Sequence, residues 1–271
     1  MHMKRSLKTI GVVIYFALLM VPIYWMVNTS LKTTKDIEWE LQWYPENPTV
    51  SNYSFILRSP EWLRALRHTI GYALLNVAVV LATTVPAAYA FSRCDFRGKK
   101  HLFFWLLAHR MAPGVVFIIP MFTIFSIVRL FDTIPGVALA HCLFNVPLSI
   151  WILEGYMRSI PKEIDETAFI DGYSFIRFFA KVFLPLIRRG IAVAAFFTFM
   201  FSWVELVLAR TLTSANTKPI TVVMSGKTCC VSWSPGVIAA AGVLMMVPGA
   251  LLVYFLKNHL VVGFAMGRLH R

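Results

Sequence analysis

Six apolar runs, each closed at both ends by charged or turn-forming residues, divide this sequence. They predict membrane-spanning helices at about residues 10–30, 69–91, 102–128, 134–157, 190–209 and 236–256. A hydrocarbon core of about 30 Å needs about 20 residues of α-helix, and every run supplies that length. Pro22, Pro86, Pro113, Pro120, Pro147 and Pro248 fall inside the runs. Each removes a backbone donor and tends to kink its helix, which membranes tolerate where neighbours or a cavity satisfy the freed carbonyl. The expected fold is an all-α polytopic membrane protein with six transmembrane helices.

Between the fourth and fifth runs, Ile160 to Pro185 carries helical signals of its own. Pro161 suits the first turn of a helix, and Glu163, Asp165 and Glu166 suit the positive end of its dipole. Gly172 can take the left-handed conformation that ends a helix, and Ser174 can cap the next. Two short helices at an angle are expected. Ile160, Ile164, Thr167, Ala168 and Asp171 would share one small face of the first, offered to a partner's groove. Phe175, Phe178, Phe179 and Val182 would form the apolar side of the second.

Composition changes the picture little. The chain has 271 residues, is 58% hydrophobic, and has a mean hydropathy of +0.67, which excludes an ordinary soluble domain. A net charge of +13 is in the range of nucleic-acid-binding proteins, but the basic residues flank the apolar runs instead of forming a stripe. Their distribution sets topology. Segments 1–9, 92–101, 158–190 and 257–271 hold 16 Lys and Arg in 67 residues, against 9 in 69 for 31–68, 129–133 and 210–235. The positive-inside rule therefore places both termini and the 160–185 loop in the cytoplasm. The run from Thr9 to Thr29 is too long for a signal peptide, and no small-residue cleavage site follows it, so it is expected to be retained. Cys94, Cys142, Cys229 and Cys230 lack zinc or disulfide spacing and are read as small apolar side chains. The longest external segment, 31–68, mixes Trp39, Trp43, Tyr44 and Tyr53 with acids; it either meets an extracytoplasmic protein or anchors at the interface.

Glu166-Thr167-Ala168-x-x-Asp171-Gly172 is followed, after nine residues, by Val182-x-Leu184-Pro185. This pattern resembles the EAA loop of permease subunits in bacterial ATP-binding-cassette importers, with Thr167 where alanine is usual. Asn145-x-Pro147-x-x-x-Trp151-x-Leu153 and Leu260-Val261-x-Gly263-x-x-x-Gly267-Arg268 are further points of similarity, to the G-type permease of maltose-type carbohydrate importers. The resemblance implies the type I importer permease fold, with the loop docked as a coupling helix on a cytoplasmic ATPase. It implies coupling roles for Glu163, Glu166, Ala168, Asp171, Gly172 and Pro185. It also implies a second permease, two ATPase subunits that bind ATP and Mg, an extracytoplasmic binding protein, and an inner-membrane location. The core would span 68–258, preceded by an added helix and external loop at 1–67 and followed by a cytoplasmic tail at 259–271.

Polar residues inside the runs are the candidates for a substrate pathway. Arg110, deep in the third run, either lines the pathway or joins a structural ion pair; Arg110-Met111-x-Pro113 resembles a motif of sugar-alcohol permeases. Glu205, beside Trp203, either lines the outer pathway or pairs with Arg210 or Arg110. Val204 stands where the family often has Asn. His109, His141 and Asn145 either bind substrate hydroxyls or bridge helices, while Glu154 and Arg158 are read as a structural pair. There is no Walker, HExxH or GxSxG sequence, so no catalytic residue, metal site or resident cofactor is expected. Carbohydrate is the expected cargo class, with glycerol or another polyol suggested by Val204–Thr213. Two other classes compete: a secondary transporter with Glu205 and His141 in an ion relay, and a membrane enzyme using His109 or His141 as a base.

Overall fold

The computed structural model describes residues 2–39, 42–228 and 235–266 and is helical throughout, with no strand among those residues. In chain order the helices are α1 (His2–Ser30), α2 (Thr34–Trp39), α3 (Ser51–Arg58), α4 (Pro60–Arg93), α5 (Lys99–Arg110) and α6 (Ile118–Ile127). There follow α7 (Ile134–Arg158), α8 (Glu163–Ile170), α9 (Phe175–Phe178), α10 (Leu184–Leu186), α11 (Arg188–Val204), α12 (Val207–Leu212), α13 (Ile220–Thr228) and α14 (Pro235–Met266). Cys229 and Cys230 lie outside the described residues, as do Gly267 and Arg268.

Four helical segments among the described residues are long and apolar enough to cross a membrane in one piece: Lys8–Ser30, Pro60–Arg93, Ile134–Arg158 and Pro235–Lys257. The other two expected spans are bent. The third is not continuous over 102–128: α5 stops at Arg110, a 3₁₀ turn covers Gly114–Phe117, and the two halves meet at 97°. Pro113 is the cause, because it cannot donate a helical hydrogen bond and its extended backbone (ψ 131°) turns the chain. The fifth, α11, is preceded by the helical stretch Phe175–Leu186 of the loop, and the two are bent by 74° relative to each other. It ends at Val204 and not at 209, because the Glu205 carboxylate accepts from Leu208 N (2.9 Å) and Ala209 N (3.0 Å) and so starts a new helix.

The chain forms two compact units. In the first, residues 1–64 and 223–250, the stretch after α2 folds back on the end of α1. Tyr24 Oη donates to the Trp43 carbonyl (2.5 Å), Trp25 meets the Trp43 ring edge-on, and Lys32 donates to the Gln42 carbonyl. Asn52 Nδ2 satisfies the carbonyls of Ser30 and Lys32, both at 2.9 Å, which the helix end leaves without donors. Ile10, Val12, Val13, Phe16 and Leu18 of α1 are exposed, a surface suited to lipid or another apolar partner.

The second unit, residues 65–222 with 251–271, holds α4, α7 and α11 together through a buried polar chain. Asn145 Nδ2 and Ser202 Oγ both donate to Asn76 Oδ1 (2.8 and 3.0 Å), Asn76 Nδ2 donates to the Ala138 carbonyl (2.6 Å), and the Ser149 and Thr198 hydroxyls pair at 3.0 Å. Such bonds contribute about 0.6–2 kcal/mol each in a bilayer and fix register more than strength. Close approach is set by Gly190, where a Cβ would come within 2.7 Å of the Tyr156 ring. Glu154 and Arg158 pair along α7 at 3.7 Å, as their spacing predicts.

Asp132, in the short turn before α7, adopts φ 56° and gathers the segment after α12. Its carboxylate accepts from Ser214 N (2.9 Å), Asn216 N (3.0 Å), Thr217 N (3.1 Å) and Thr217 Oγ1 (2.7 Å). Partial burial opposes ionisation, but these four donors outweigh it and hold the carboxyl down at about 2. Because the folded value lies below the ordinary carboxylate value, the stabilisation is complete above about pH 4 and is lost as pH falls through about 2. Asp132→Asn is expected to raise amide hydrogen exchange at Ser214, Asn216 and Thr217 at least about tenfold at neutral pH, since charge-assisted bonds contribute about 1.5–3 kcal/mol. Unchanged exchange would show that the loop holds itself.

Candidate functional site

The segment between α7 and α11 is the most elaborate connection in the second unit. Lys162 precedes the first helical residue and Pro161 lies one step further out, so Pro161 does not occupy the first turn as its sequence position suggests. Glu163, Asp165 and Glu166 open α8 at its positive end. At the other end Gly172 has φ +82°, with Tyr173 N on the Ala168 carbonyl (3.1 Å) and Gly172 N on the Phe169 carbonyl (3.1 Å). This is the paired bonding of a Schellman motif. A Cβ at Gly172 would meet nothing within 4 Å, so the demand for glycine is conformational. Ser174 stands at the start of α9 with extended backbone, but its side chain makes no capping bond.

α8 is held from one side by a buried ion pair. Asp165 accepts from Arg93 Nε (2.8 Å), Arg93 Nη2 (3.3 Å) and Tyr89 Oη (3.2 Å), both α4 residues, and the Arg93 and Asp165 side chains are 7% and 10% exposed. The guanidinium also lies over the Phe183 ring (5.4 Å). Tyr89 meets Phe175, Phe179 and Phe183 edge-on at 5.5, 5.3 and 4.9 Å, and Ala168, Phe178 and Ile187 close the same core. Phe179–Phe183 forms a π-helical turn just before Pro185, which has no N–H to give the Lys181 carbonyl.

This pinning rotates α8 away from the expected face. Ala168 (7% exposed) points inward with Asp165, while Glu163, Glu166, Thr167 and Ile170 (85% exposed) share the outer side at helical spacing. The predicted set of Ile160, Ile164, Thr167, Ala168 and Asp171 is therefore split. Of the second helix, Phe178 is fully buried and Phe179 and Val182 are half-buried as expected, but Phe175 is 52% exposed, as is its neighbour Ile176 at 79%. Asp171, Gly172 and Pro185 are exposed. Arg93, Tyr89 and the inward role of Asp165 belong to no motif of the sequence. The signal available was that Asp165 lies three residues before Ala168, on the side of α8 opposite Ile170.

The candidate pathway residues fall into two groups. His141, Asn145 and Trp203 are enclosed, at 0%, 0% and 1% exposure. Glu205 pairs with neither Arg210 nor Arg110 but with His141, whose Nε2 lies 3.2 Å from Glu205 Oε2; His141 is also flanked edge-on by Tyr72 and Phe201. Arg110 is half-buried at the end of α5 and donates from Nη1 to the Phe144 carbonyl at 2.6 Å.

Comparison with solved structures gives the fold of an importer permease. A chain of a bacterial ABC transporter involved in the import of the acidic polysaccharide alginate superposes with a TM-score of 0.80 at 20% identity, covering 93% of this chain and 94% of that one. In sequence, the trehalose transport system permease protein SugB of Mycobacterium tuberculosis is 32% identical over 94% of this chain and 93% of its own length. The sulfoquinovosyl glycerol transport system permease protein SmoH of Agrobacterium fabrum is 28% identical over 92% and 88%. The class defined by the fold and these relatives is the multi-pass, inner-membrane permease of an ABC importer. Residues 85–264 match the profile of binding-protein-dependent transport system inner membrane components, and the chain belongs to that family.

Removing one partner of a buried ion pair costs about 3–5 kcal/mol, because the other charge is left desolvated. Asp165→Ala is expected to destabilise the protein by about 3 kcal/mol in detergent and to speed tryptic cleavage at Lys162 and Arg177. Glu166→Ala, one residue along but exposed, should change neither. Equal behaviour of the two variants would contradict the clamp.

Proposed function

We propose that this chain is one of two permease subunits of an ATP-driven carbohydrate importer, and that α8 is the element through which cytoplasmic ATPase subunits drive it. One observation carries the reading: an outward face of Glu163, Glu166, Thr167 and Ile170 on a helix whose opposite face is pinned to a membrane-spanning helix. A helix so held can be pushed or pulled without deforming, so force applied at the outer face passes to α4 through Asp165 and Arg93. Ile170, Phe175 and Ile176 add exposed apolar anchors of the kind a partner's cleft buries.

The excess of basic residues on the segments flanking this loop supports a cytoplasmic placement for it and for both termini. The partners in this reading are a second permease, two ATPase subunits that bind ATP and Mg, an extracytoplasmic binding protein, and lipid around α1. Carbohydrate as cargo is supported by the relatives, which are named for trehalose and sulfoquinovosyl glycerol, and by the alginate importer of like fold. Among them only sulfoquinovosyl glycerol bears on a polyol cargo, and glycerol itself has no separate support.

Two substitutions in reconstituted complexes test the reading. Glu166→Lys inverts the charge on the outer face, where a charged contact governs register and coupling more than affinity, and is expected to leave ATP hydrolysis while cutting uptake at least about tenfold. Gly172→Val, at φ +82°, costs more than the roughly 1–2 kcal/mol of an ordinary left-handed residue and should likewise abolish uptake without preventing membrane insertion. Normal uptake and substrate-stimulated ATP hydrolysis in Glu166→Lys would sink the docking role of α8.

A further inference from the structure

The turn between α4 and α5 is ordered and basic. Phe91 meets Phe96 and Phe103, both at 5.5 Å, and Gly98 turns the chain at φ 85°. Lys99 Nζ donates to the Cys94 carbonyl (2.9 Å) and to Asp95 Oδ1 (3.3 Å). Residues 94–101 hold Arg97, Lys99 and Lys100 against the single acid Asp95, a net charge of +2. Lys99 answers that acid, so the turn presents Arg97 and Lys100 outward, both exposed, with His101 beside them.

α5 continues this surface in apolar form. His101, Phe104, Trp105 and Ala108 recur at three- and four-residue spacing and are all exposed, Phe104 at 72% and Trp105 at 61%. Lys100 stands one turn before Phe104 on the same side. The opposite face, with Phe103, Leu106 and Leu107, is the half-buried one. At about 1.5 Å per residue, Lys100 and Phe104 are separated by roughly 6 Å along the axis. The polar layer on each side of a bilayer is about 5–8 Å deep, from a hydrocarbon core of about 30 Å within an overall thickness of about 40–45 Å. The cations therefore stand at headgroup level where the aromatic rings reach the acyl chains, a boundary at which tryptophan is favoured.

We propose that this face of α5 binds an anionic phospholipid, with Arg97 and Lys100 on the headgroup phosphate and Phe104 and Trp105 along an acyl chain. A zwitterionic lipid brings its own cation beside the phosphate, whereas an acidic lipid leaves that charge for the protein to neutralise. Charge also decides against a partner permease as the occupant. Multi-pass proteins carry their excess of Lys and Arg on one side of the membrane, and this turn lies on that side in this chain. A second permease would bring like charge to the same rim. Attraction between an acidic leaflet and a juxtamembrane Lys or Arg amounts to about fivefold in affinity for each residue. The inference rests on the inner-membrane character of the family and not on cargo or ATPase docking.

The test uses the assembled transporter, this chain with its partner subunits, in phosphatidylcholine nanodiscs doped with lipid brominated on its acyl chains, either phosphatidylglycerol or phosphatidylcholine. Bromine quenches tryptophan at contact, and the fluorescence difference between wild type and Trp105→Phe isolates Trp105. Brominated phosphatidylglycerol is expected to half-quench Trp105 at a mole fraction at least about fivefold lower than brominated phosphatidylcholine requires. The double variant Arg97→Gln, Lys100→Gln should remove this preference and leave Trp105 quenched equally by both lipids, whereas Arg97→Lys with Lys100→Arg keeps it. Equal quenching by the two lipids in wild type would overturn the inference, as would a preference that survives the Gln double variant. Trp105 quenched by neither lipid would assign this face to a protein partner and overturn it as well. ATP-driven uptake tests the importer reading separately, and none of these outcomes alters it.

Discussion

The buried pair between Arg93 and Asp165 is the constraint on which the rest of this connection depends. Taken alone it is a poor source of stability, because two charges lose their water to form it. Phe178, Phe183 and Ile187, all essentially buried, supply the larger favourable term at about 1.5–3 kcal/mol each. What the pair adds is direction. Hydrophobic contact would let α8 slide or turn on its aromatic bed, whereas two N–H bonds from one guanidinium and an O–H bond from Tyr89 fix one rotation of the helix. That rotation decides which residues face outward, and so what a partner meets.

The same division of labour recurs deeper in the second unit. Apolar packing of Tyr72, Val137, Phe144 and Leu208 brings the helices together, and the Asn76, Asn145 and Ser202 bonds choose their register. The bends follow from proline and from Glu205, each acting on the backbone hydrogen bonds of one turn. The result is a set of stiff spans joined at defined breaks. A motion imposed on α8 then reaches α4 at Arg93, and α4 meets α7 at Asn76.

Fold class was legible because it depends on length and hydropathy: all six apolar runs are where the helices lie, and Gly172 has the left-handed conformation its position predicts. The breaks were less legible. Pro113 and Pro147 are both interior prolines by sequence, but the first breaks its helix and the second stays within α7, because packing against neighbouring helices decides between the two outcomes. The partner of Glu205 was missed because ion-pair reasoning looks for Arg and Lys, and the carboxylate was instead committed to backbone donors and to a histidine 64 residues away. The inward turn of Asp165 was missed for a related reason. An acid in a first helical turn reads as a solvated dipole partner until Arg93, 72 residues away, is brought beside it.

The central claim is that α8 and the end of α4 move as one body during transport. Spin labels at Arg97→Cys and Lys162→Cys, both exposed and off the outward face of α8, in an otherwise cysteine-free chain assembled with its partners, measure it directly by pulsed electron resonance. A narrow distance distribution that keeps the same centre in the nucleotide-free, ATP-bound and post-hydrolysis states, and that broadens when Asp165→Ala is added, is the expected result. A distance that shifts with nucleotide in the intact clamp would show that α8 moves independently of α4 and would contradict the account.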